Sequence, residues 1–239
     1  MIGTGTIINV LAIVIGGGIG LLGGKWLNER TQETLIRSMA VCVLFVAIGG
    51  VMTEMLVLKG GGLTTQGTLM LVISMALGGL VGELLNLDDR LEGFGRWLRE
   101  KSGNSRDTRF LDGFITATMT VSIGAMAIVG AVQDGIYGDY TVLAAKSLMD
   151  FVIILVMASS MGKGCLFSAI PVGILQGSVT VLARLVQPLL TEAALSNLSL
   201  VGSALIFCVG LNLIWKKTIR VANLLPALLF AIGYAFLPF

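Results

Sequence analysis

A lysine and an aspartate, Lys146 and Asp150, stand four residues apart in an apolar stretch of this chain, with Ser147 beside the lysine. Residues four apart share one face of an α-helix, so this ammonium and this carboxylate can pair. If the stretch crosses a bilayer, the pair lies about 8 Å and about 14 Å inside its starting end. Charges at that depth cost roughly 2.5–3.5 kcal/mol each and persist where they are paired, hydrated or functional. Two explanations stay open: a substrate or ion site, and a structural ion pair that locks neighbouring helices together.

Further polar residues could complete a site around this pair. Gln176 lies near the middle of the next apolar stretch, and Gln133 with Asp134 ends the preceding one. Asp134 and the loop residue Asp139 are interpreted either as an outer gate that attracts cations or zwitterions, or as solvated loop carboxylates. Asn9 is isolated in the first apolar stretch, so we expect it to form an interhelical hydrogen bond. The predicted substrate- or ion-binding set is Asp150, Lys146, Ser147, Gln176, Gln133, Asp134 and Asp139.

Catalytic and cofactor chemistry are not expected. Lys146 and Ser147 are adjacent and point apart on a helix, which argues against a Ser–Lys nucleophile pair. The chain has no histidine, and its 3 cysteines are isolated in apolar surroundings, so no metal site is predicted. No glycine-rich loop follows a strand to cradle a phosphate, and the net charge of +2 is dispersed rather than gathered on a nucleic-acid-binding face. We therefore expect no enzyme, no cofactor, no metal and no nucleic-acid partner.

The elements that must position these residues are membrane helices. Of the 239 residues, 55% are hydrophobic and 13% are charged, and the mean hydropathy is +0.93. Soluble domains carry about 25% charged residues, so this chain lacks the polar surface that a water-soluble globule needs. The sequence predicts an all-α, polytopic transmembrane helix bundle, formed as a single integral membrane domain over residues 1–239, with the lipid bilayer as its partner.

About eight apolar segments have the roughly 20-residue length that a membrane span requires. The predicted spans are Thr6–Gly24, Ile36–Leu58, Gly67–Leu87, Phe110–Gln133, Thr141–Met161, Cys165–Leu189, Leu195–Trp215 and Val221–Leu237. With the N-terminus outside, every one of the 16 basic residues except Lys59, Lys146 and Arg184 falls in a cytoplasmic loop or at its edge. The positive-inside rule therefore predicts that both termini lie outside.

The longest polar segment, residues 88–109, separates the two halves of the chain. In its first part, Asp88–Lys101, the residues Leu91, Phe94 and Leu98 fall on one helical face and the charged residues lie mostly elsewhere. This pattern predicts an amphipathic helix at the membrane surface. We interpret the segment as a cytoplasmic linker between the halves.

A weak internal repeat relates the two halves. Ile36–Thr53 aligns with Asn197–Ile214 so that Ser38, Leu44 and Gly49 stand over Ser199, Leu205 and Gly210. These segments belong to the second and seventh predicted spans, which run in opposite directions. Spans one to three could therefore be an inverted copy of spans six to eight, an arrangement that recurs in transporters. Two apolar helices can also align in this way by chance.

Glycine totals 32 residues, and several glycines are spaced four apart. Such faces let membrane helices approach closely. They could pack helices within the chain or form a homodimer seam, and Gly16–Gly18 could instead unwind the first span and open its carbonyls to a site. The predicted helix-packing glycines are Gly16, Gly20, Gly24, Gly78 and Gly82.

Several stretches of the chain resemble a known family. The stretch QDGIYGDYTVLAAKSLMD, the opening GTIINVLAIVIGG, and the later VGSALIFCVGLNLI and RVANLLPALLFA are similar to the YqgA/YdfK-type bacterial inner-membrane proteins, a domain-of-unknown-function family. The resemblance covers nearly the whole chain, and its most specific part includes Asp139, Lys146, Ser147 and Asp150. It implies a multi-pass protein of the bacterial inner membrane. It supplies no substrate or reaction.

Two functions of different classes fit these patterns. The first is a small secondary transporter or permease for a small cation or a polar or zwitterionic solute, with the buried charges at its centre. The second is a non-transporting membrane scaffold or assembly protein that packs through its glycine faces. A cavity that reaches Asp150 would favour the first, and a tightly packed core around Lys146 would favour the second.

Overall fold

The computed structural model describes residues 2–122, 125–215 and 218–237 of the chain, and it is a helical bundle. In chain order the helices are α1 (Thr4–Gly24), α2 (Glu29–Met55), α3 (Thr68–Leu85), α4 (Leu87–Lys101), α5 (Phe110–Ser122), α6 (Ala125–Tyr137), α7 (Thr141–Met161), α8 (Gly164–Phe167), α9 (Ala169–Val181), α10 (Ala183–Val186), α11 (Glu192–Trp215), α12 (Val221–Leu224) and α13 (Ala227–Tyr234). A 3₁₀ turn covers Gln187–Leu189. The predicted all-α bundle is confirmed.

A short antiparallel hairpin joins α2 to α3. Its strands are β1 (Leu56–Lys59) and β2 (Gly62–Thr65), with Leu56 opposite Thr65. Gly60 and Gly61 form the turn with φ of 59° and 80°, values that glycine adopts without steric strain. The hairpin lies within the sequence that was expected to be the end of the second span and the loop that follows it.

Six helical stretches among the described residues are long and apolar enough to cross a bilayer. They are Thr4–Gly24, Glu29–Met55, Thr68–Leu85, Thr141–Met161, Gly164–Val181 and Glu192–Trp215. The predicted fourth span is not one straight helix, because α5 and α6 meet at a bend of 63°. The predicted eighth span is a shorter apolar stretch, Val221–Tyr234, interrupted between α12 and α13. The count of about eight spans therefore stays a prediction.

Contacts between helices fix their relative directions. Gly16, Gly20 and Gly24 of α1 lie against Phe151, Leu155 and Ser159 of α7, in the same order along both helices, so α1 and α7 are parallel. Gly78 and Gly82 of α3 lie against Ala227 and Asn223 in reverse order, so these segments are antiparallel. We call the two ends of the bundle the Gly3 end and the Gly24 end, after the two ends of α1.

The predicted packing glycines are used inside the chain. A Cβ added at Gly20 would lie 2.2 Å from the carbonyl oxygen of Leu155, and one added at Gly82 would overlap the carbonyl oxygen of Asn223. Helix backbones are therefore in direct contact, which is the use that closely spaced glycines have in membranes. The suggestion that Gly16–Gly18 unwinds the first span is wrong, because α1 is continuous from Thr4 to Gly24.

The helices α2 and α11, which hold the proposed repeat, pack against each other in opposite directions. Gly210 of α11 lies against Leu44, and Gly50 of α2 lies against Ser203. A symmetric pair would also place Leu205 on Gly49, yet a Cβ added at Gly49 meets nothing within 4 Å. The inverted repeat stays a prediction.

The amphipathic helix α4 forms the first part of the polar segment at residues 88–109. Leu98 is buried against Phe110 and Phe114 of α5, and Phe94 packs on the same cluster. The first turn of α4 is also held in place, because the backbone N–H of Asp88 donates a hydrogen bond to Oδ1 of Asn223 at 2.7 Å. The apolar face of α4 thus packs against the bundle.

Candidate functional site

The centre of the candidate site is the ion pair that the sequence predicts on α7. Lys146 Nζ donates to the Asp150 carboxylate and, at 2.7 Å, to the carbonyl oxygen of Val121. The Lys146 and Asp150 side chains are only 8% and 5% exposed. An ion pair removed this far from water is stabilised only if its geometry is good and its remaining hydrogen-bonding capacity is used.

The carbonyl that binds Lys146 belongs to the end of a broken helix. Val121 is in the last turn of α5, immediately before the bend to α6. Carbonyls in a last helical turn lack partners within their own helix, and the helix dipole makes this end attractive to a cation. The bend therefore creates a place where a buried ammonium is held by a carboxylate and by a free backbone carbonyl.

Two buried amides extend the polar site across α1 and α9. Asn9 Nδ2 donates to Gln176 Oε1 at 3.1 Å, and the hydroxyls of Thr6 and Thr180 lie 3.3 Å apart. Asn9 is 0% exposed and Gln176 is 1% exposed, and the Asn9 side chain also lies near Asp150. The structure thus brings Asn9, Gln176, Lys146 and Asp150 together.

Each of these amides keeps one unused polar atom. Among the described residues, Asn9 Oδ1 and Gln176 Nε2 are buried without a hydrogen-bond partner, as are Thr118 Oγ1, Ser122 Oγ and Gln133 Oε1. A buried polar atom without a partner costs about 1–3 kcal/mol, and native proteins leave few of them. One acceptor and one donor are therefore available beside the ion pair.

Apolar residues pack on the Gly24 side of the site. Ile13, Ile154 and Val172 each lie one helical turn from Asn9, Asp150 and Gln176 respectively, always on the Gly24 side. All three apolar residues are 0% exposed and belong to one core cluster with Ala117 and Met157. Packed hydrocarbon side chains therefore lie on the Gly24 side of these polar residues along each helix.

A polar cleft opens at the Gly24 end of the bundle, between α2, α5 and α11. It has a volume of about 510 Å³, and its polar lining residues are Glu33, Arg37, Asp88, Asp112, Thr116 and Asn212. An adjoining cleft of about 370 Å³ shares Glu33 and Asp112 with it. The first cleft reaches along α5 as far as Met119, and neither Lys146 nor Asp150 is among the described residues that line it.

Comparison with known proteins places this arrangement in a family. Residues 4–236 match the family described as protein of unknown function (DUF554). The chain belongs to this family. It is 27% identical over 225 residues to the uncharacterized membrane protein YdfK of Bacillus subtilis (strain 168), covering 94% of this chain and 92% of the relative. It is 29% identical over 234 residues to the uncharacterized protein YqgA of Escherichia coli (strain K12), covering 95% and 94%. No solved structure matches the chain.

This DUF554 chain is a multi-pass membrane protein, because it has several apolar helices of span length and a relative that is named as a membrane protein. The predicted family is therefore confirmed over almost the full length. Neither relative carries a named activity. The function has to be inferred from the site itself.

The structure uses Asp134 in a way that sequence reasoning did not predict. Its carboxylate is 0% exposed and accepts hydrogen bonds from the backbone N–H groups of Gly3, at 3.2 Å, and Gly5, at 2.9 Å. These groups belong to the start of α1, where free N–H donors and the helix dipole favour a carboxylate. In this DUF554 protein Asp134 caps a helix that lies more than a hundred residues earlier in the chain.

Two of the other predicted site residues, Asp139 and Ser147, have local partners. Asp139 is exposed and accepts from the Thr141 hydroxyl at 2.6 Å and from the Thr141 N–H at 2.9 Å, so it caps the start of α7. These bonds, the hydroxyl's first, lower the pKa of the Asp139 carboxyl. The Ser147 hydroxyl donates to the Leu143 carbonyl oxygen of its own helix at 2.6 Å. Gln133, half-buried beside Asp134, keeps its Oε1 free.

Removing the Asp134 carboxylate is expected to destabilise the start of α1. Asp134→Ala should lower the free energy of unfolding by up to about 2 kcal/mol, because the backbone donors of Gly3 and Gly5 lose their acceptor. Asp139→Ala, which removes an exposed cap, is the matched control and should cost less. Denaturant titration in mixed micelles measures both, and equal losses would contradict the assignment of Asp134 as the buried cap.

Proposed function

We propose that this chain is a small secondary transporter or permease for a small cation or a polar or zwitterionic solute, and not an enzyme. The observation that carries the proposal is the Lys146–Asp150 pair, buried at the end of a broken helix beside two amides with unused polar atoms. Ionisable residues inside membrane helices are functional by default, and broken helices form the binding sites of many transporters.

The packing toward the Gly24 end supports the same proposal. Ile13, Ile154 and Val172 pack in one apolar cluster on the Gly24 side of the polar residues of their own helices, and a cleft opens at the Gly24 end of the bundle. Alternating access requires a site with a closable barrier on each side. In this proposal the apolar cluster is the barrier on the Gly24 side, and its opening gives access to the site from that end.

The proposed setting is the bacterial inner membrane, with both termini outside. Its support is the distribution of Lys and Arg residues between alternate loops and the bacterial origin of both relatives. Reporter fusions at the two termini test it, and a cytoplasmic reporter at either terminus would contradict the topology.

The test of the permease compares three forms of the protein made at equal levels. Cells overproducing the wild type should change their content of at least one small ion or polar solute several-fold, and cells with Asp150→Asn should not, because asparagine keeps the size of the side chain and removes its charge. Glu100→Gln, on an exposed residue of α4, is the control and should behave as wild type. Proteoliposomes with the wild type or with Glu100→Gln should then take up the identified solute, and proteoliposomes with Asp150→Asn should not.

A scaffold without transport is the second candidate, and the packing favours it. Helix backbones close on each other at Gly20 and Gly82, and the cleft stops short of Lys146. A scaffold, as a homodimer or with another membrane protein, leaves ion and metabolite levels unchanged in all three forms. A wild-type profile identical to that of Asp150→Asn would therefore decide for this alternative.

A further inference from the structure

Resting on the permease proposed above, we infer that its cargo is a small zwitterion, with an ammonium and a carboxylate joined as in an α-amino acid. In the bound state the cargo ammonium lies on Asp150 and the cargo carboxylate lies on Lys146. The cargo thus inserts between two charges that hold each other in its absence.

The charge balance of the site selects this class of cargo. Among the described residues, Lys146 is the charged group that acts on Asp150. A simple cation that bound Asp150 would leave the Lys146 ammonium buried and unpaired, and a simple anion would do the same to Asp150. Breaking a buried pair in this way is strongly unfavourable. A zwitterion replaces one ion pair by two and leaves no charge without a partner.

The unused amide atoms match the same two groups. Asn9 Oδ1 is an acceptor, as an ammonium requires, and Gln176 Nε2 is a donor, as a carboxylate requires. Asn9 lies beside Asp150, on the side where the cargo ammonium binds. The site therefore offers a charge and a neutral hydrogen-bonding group to each half of the cargo.

Three related ligands test the inference on the purified wild-type protein in detergent. L-Alanine carries both charges, ethylamine is alanine without its carboxylate, and propionate is alanine without its ammonium. Isothermal titration should show saturable binding of L-alanine, or of glycine or L-serine, with ethylamine and propionate bound at least about tenfold more weakly. Binding of ethylamine or propionate as tight as that of the amino acids, or no binding of any amino acid, would overturn the inference.

Replacing either charged residue should change which of the three ligands binds most tightly. Lys146→Gln is expected to favour ethylamine over L-alanine, and Asp150→Asn is expected to favour propionate. Gln176→Leu, which carries no change of charge, should weaken L-alanine binding about tenfold, whereas Ser178→Ala, at an exposed residue of the same helix, should leave it near the wild-type value. Unchanged ligand order in both charge variants would count against the proposed site, and the wild-type comparison decides the matter if a variant does not fold.

The binding assay separates this inference from the permease itself. Amino-acid binding without flux in proteoliposomes supports the site and contradicts the permease. Flux of a solute that is not a zwitterion, with no amino-acid binding, supports the permease and overturns the inference.

Discussion

Replacing Asp150 by leucine is expected to lower the free energy of unfolding by about 3–5 kcal/mol, and so is replacing Lys146 by methionine, whereas the double replacement should cost far less than their sum. Each single change leaves one buried charge without its partner, and an uncompensated buried charge is strongly destabilising. The double change leaves two apolar side chains of similar volume, which is often neutral. Steric trapping or denaturant titration in mixed micelles measures the four free energies of this cycle.

The double variant also separates the two explanations of the pair. If the pair only locks helices, the double variant should fold and should retain whatever solute response the wild type shows. If the pair binds cargo, the double variant should fold and show no response. Additive losses in the cycle, with no coupling between the two positions, would contradict the direct ion pair between Lys146 and Asp150.

Substituting alanine for Gly20 is expected to cost about 1–3 kcal/mol, the usual range for overpacking a filled interface. The added methyl would lie 2.2 Å from the carbonyl oxygen of Leu155, so α1 and α7 would have to separate. Gly23→Ala is the matched control on the same helix, because a Cβ at Gly23 meets nothing within 4 Å. Thermal unfolding in detergent compares the two.

A lower midpoint for Gly20→Ala with no loss for Gly23→Ala is the expected result. Equal effects would show that α1 does not pack on α7 through this face. Cross-linking of the purified variants adds a second readout. An unchanged unfolding midpoint together with loss of a cross-linked dimer would assign the face of Gly20 to a homodimer seam instead.

Much of the helical architecture could be predicted from the sequence, because apolar runs of span length can form little else in a bilayer. The Lys146–Asp150 pair was predictable for a local reason, since spacing along one helix fixes which side chains meet. The break between α5 and α6 was not predictable, because the apolar run continues through it. Hydrophobicity alone does not determine where a helix changes direction.

Contacts between segments that are far apart in the sequence could not be predicted from the sequence. Asn9 was expected to form an interhelical hydrogen bond and does so with Gln176, but its place beside the ion pair was not predicted. The spacing of Thr6 with Asn9 and of Gln176 with Thr180 places each pair on one helix face, which was a usable signal once the two helices were known to be neighbours. Asp134 was expected at a gate, but its function depends on where α1 begins, which only the fold determines.

The long-range anchoring of α1 has a consequence for biogenesis. The Asp134 cap follows its Gly3 partner by 131 residues, and the backbone of α7, on which Gly20 and Gly24 rest, is made later still. At a synthesis rate of about 5–20 residues per second, the first helix waits about 7–26 seconds for its permanent neighbours. During that interval only lipid or the insertion machinery can cover the glycine-rich surface of the nascent chain. Conditions that slow translation should therefore favour quality-control proteolysis of this protein before its second half is synthesised.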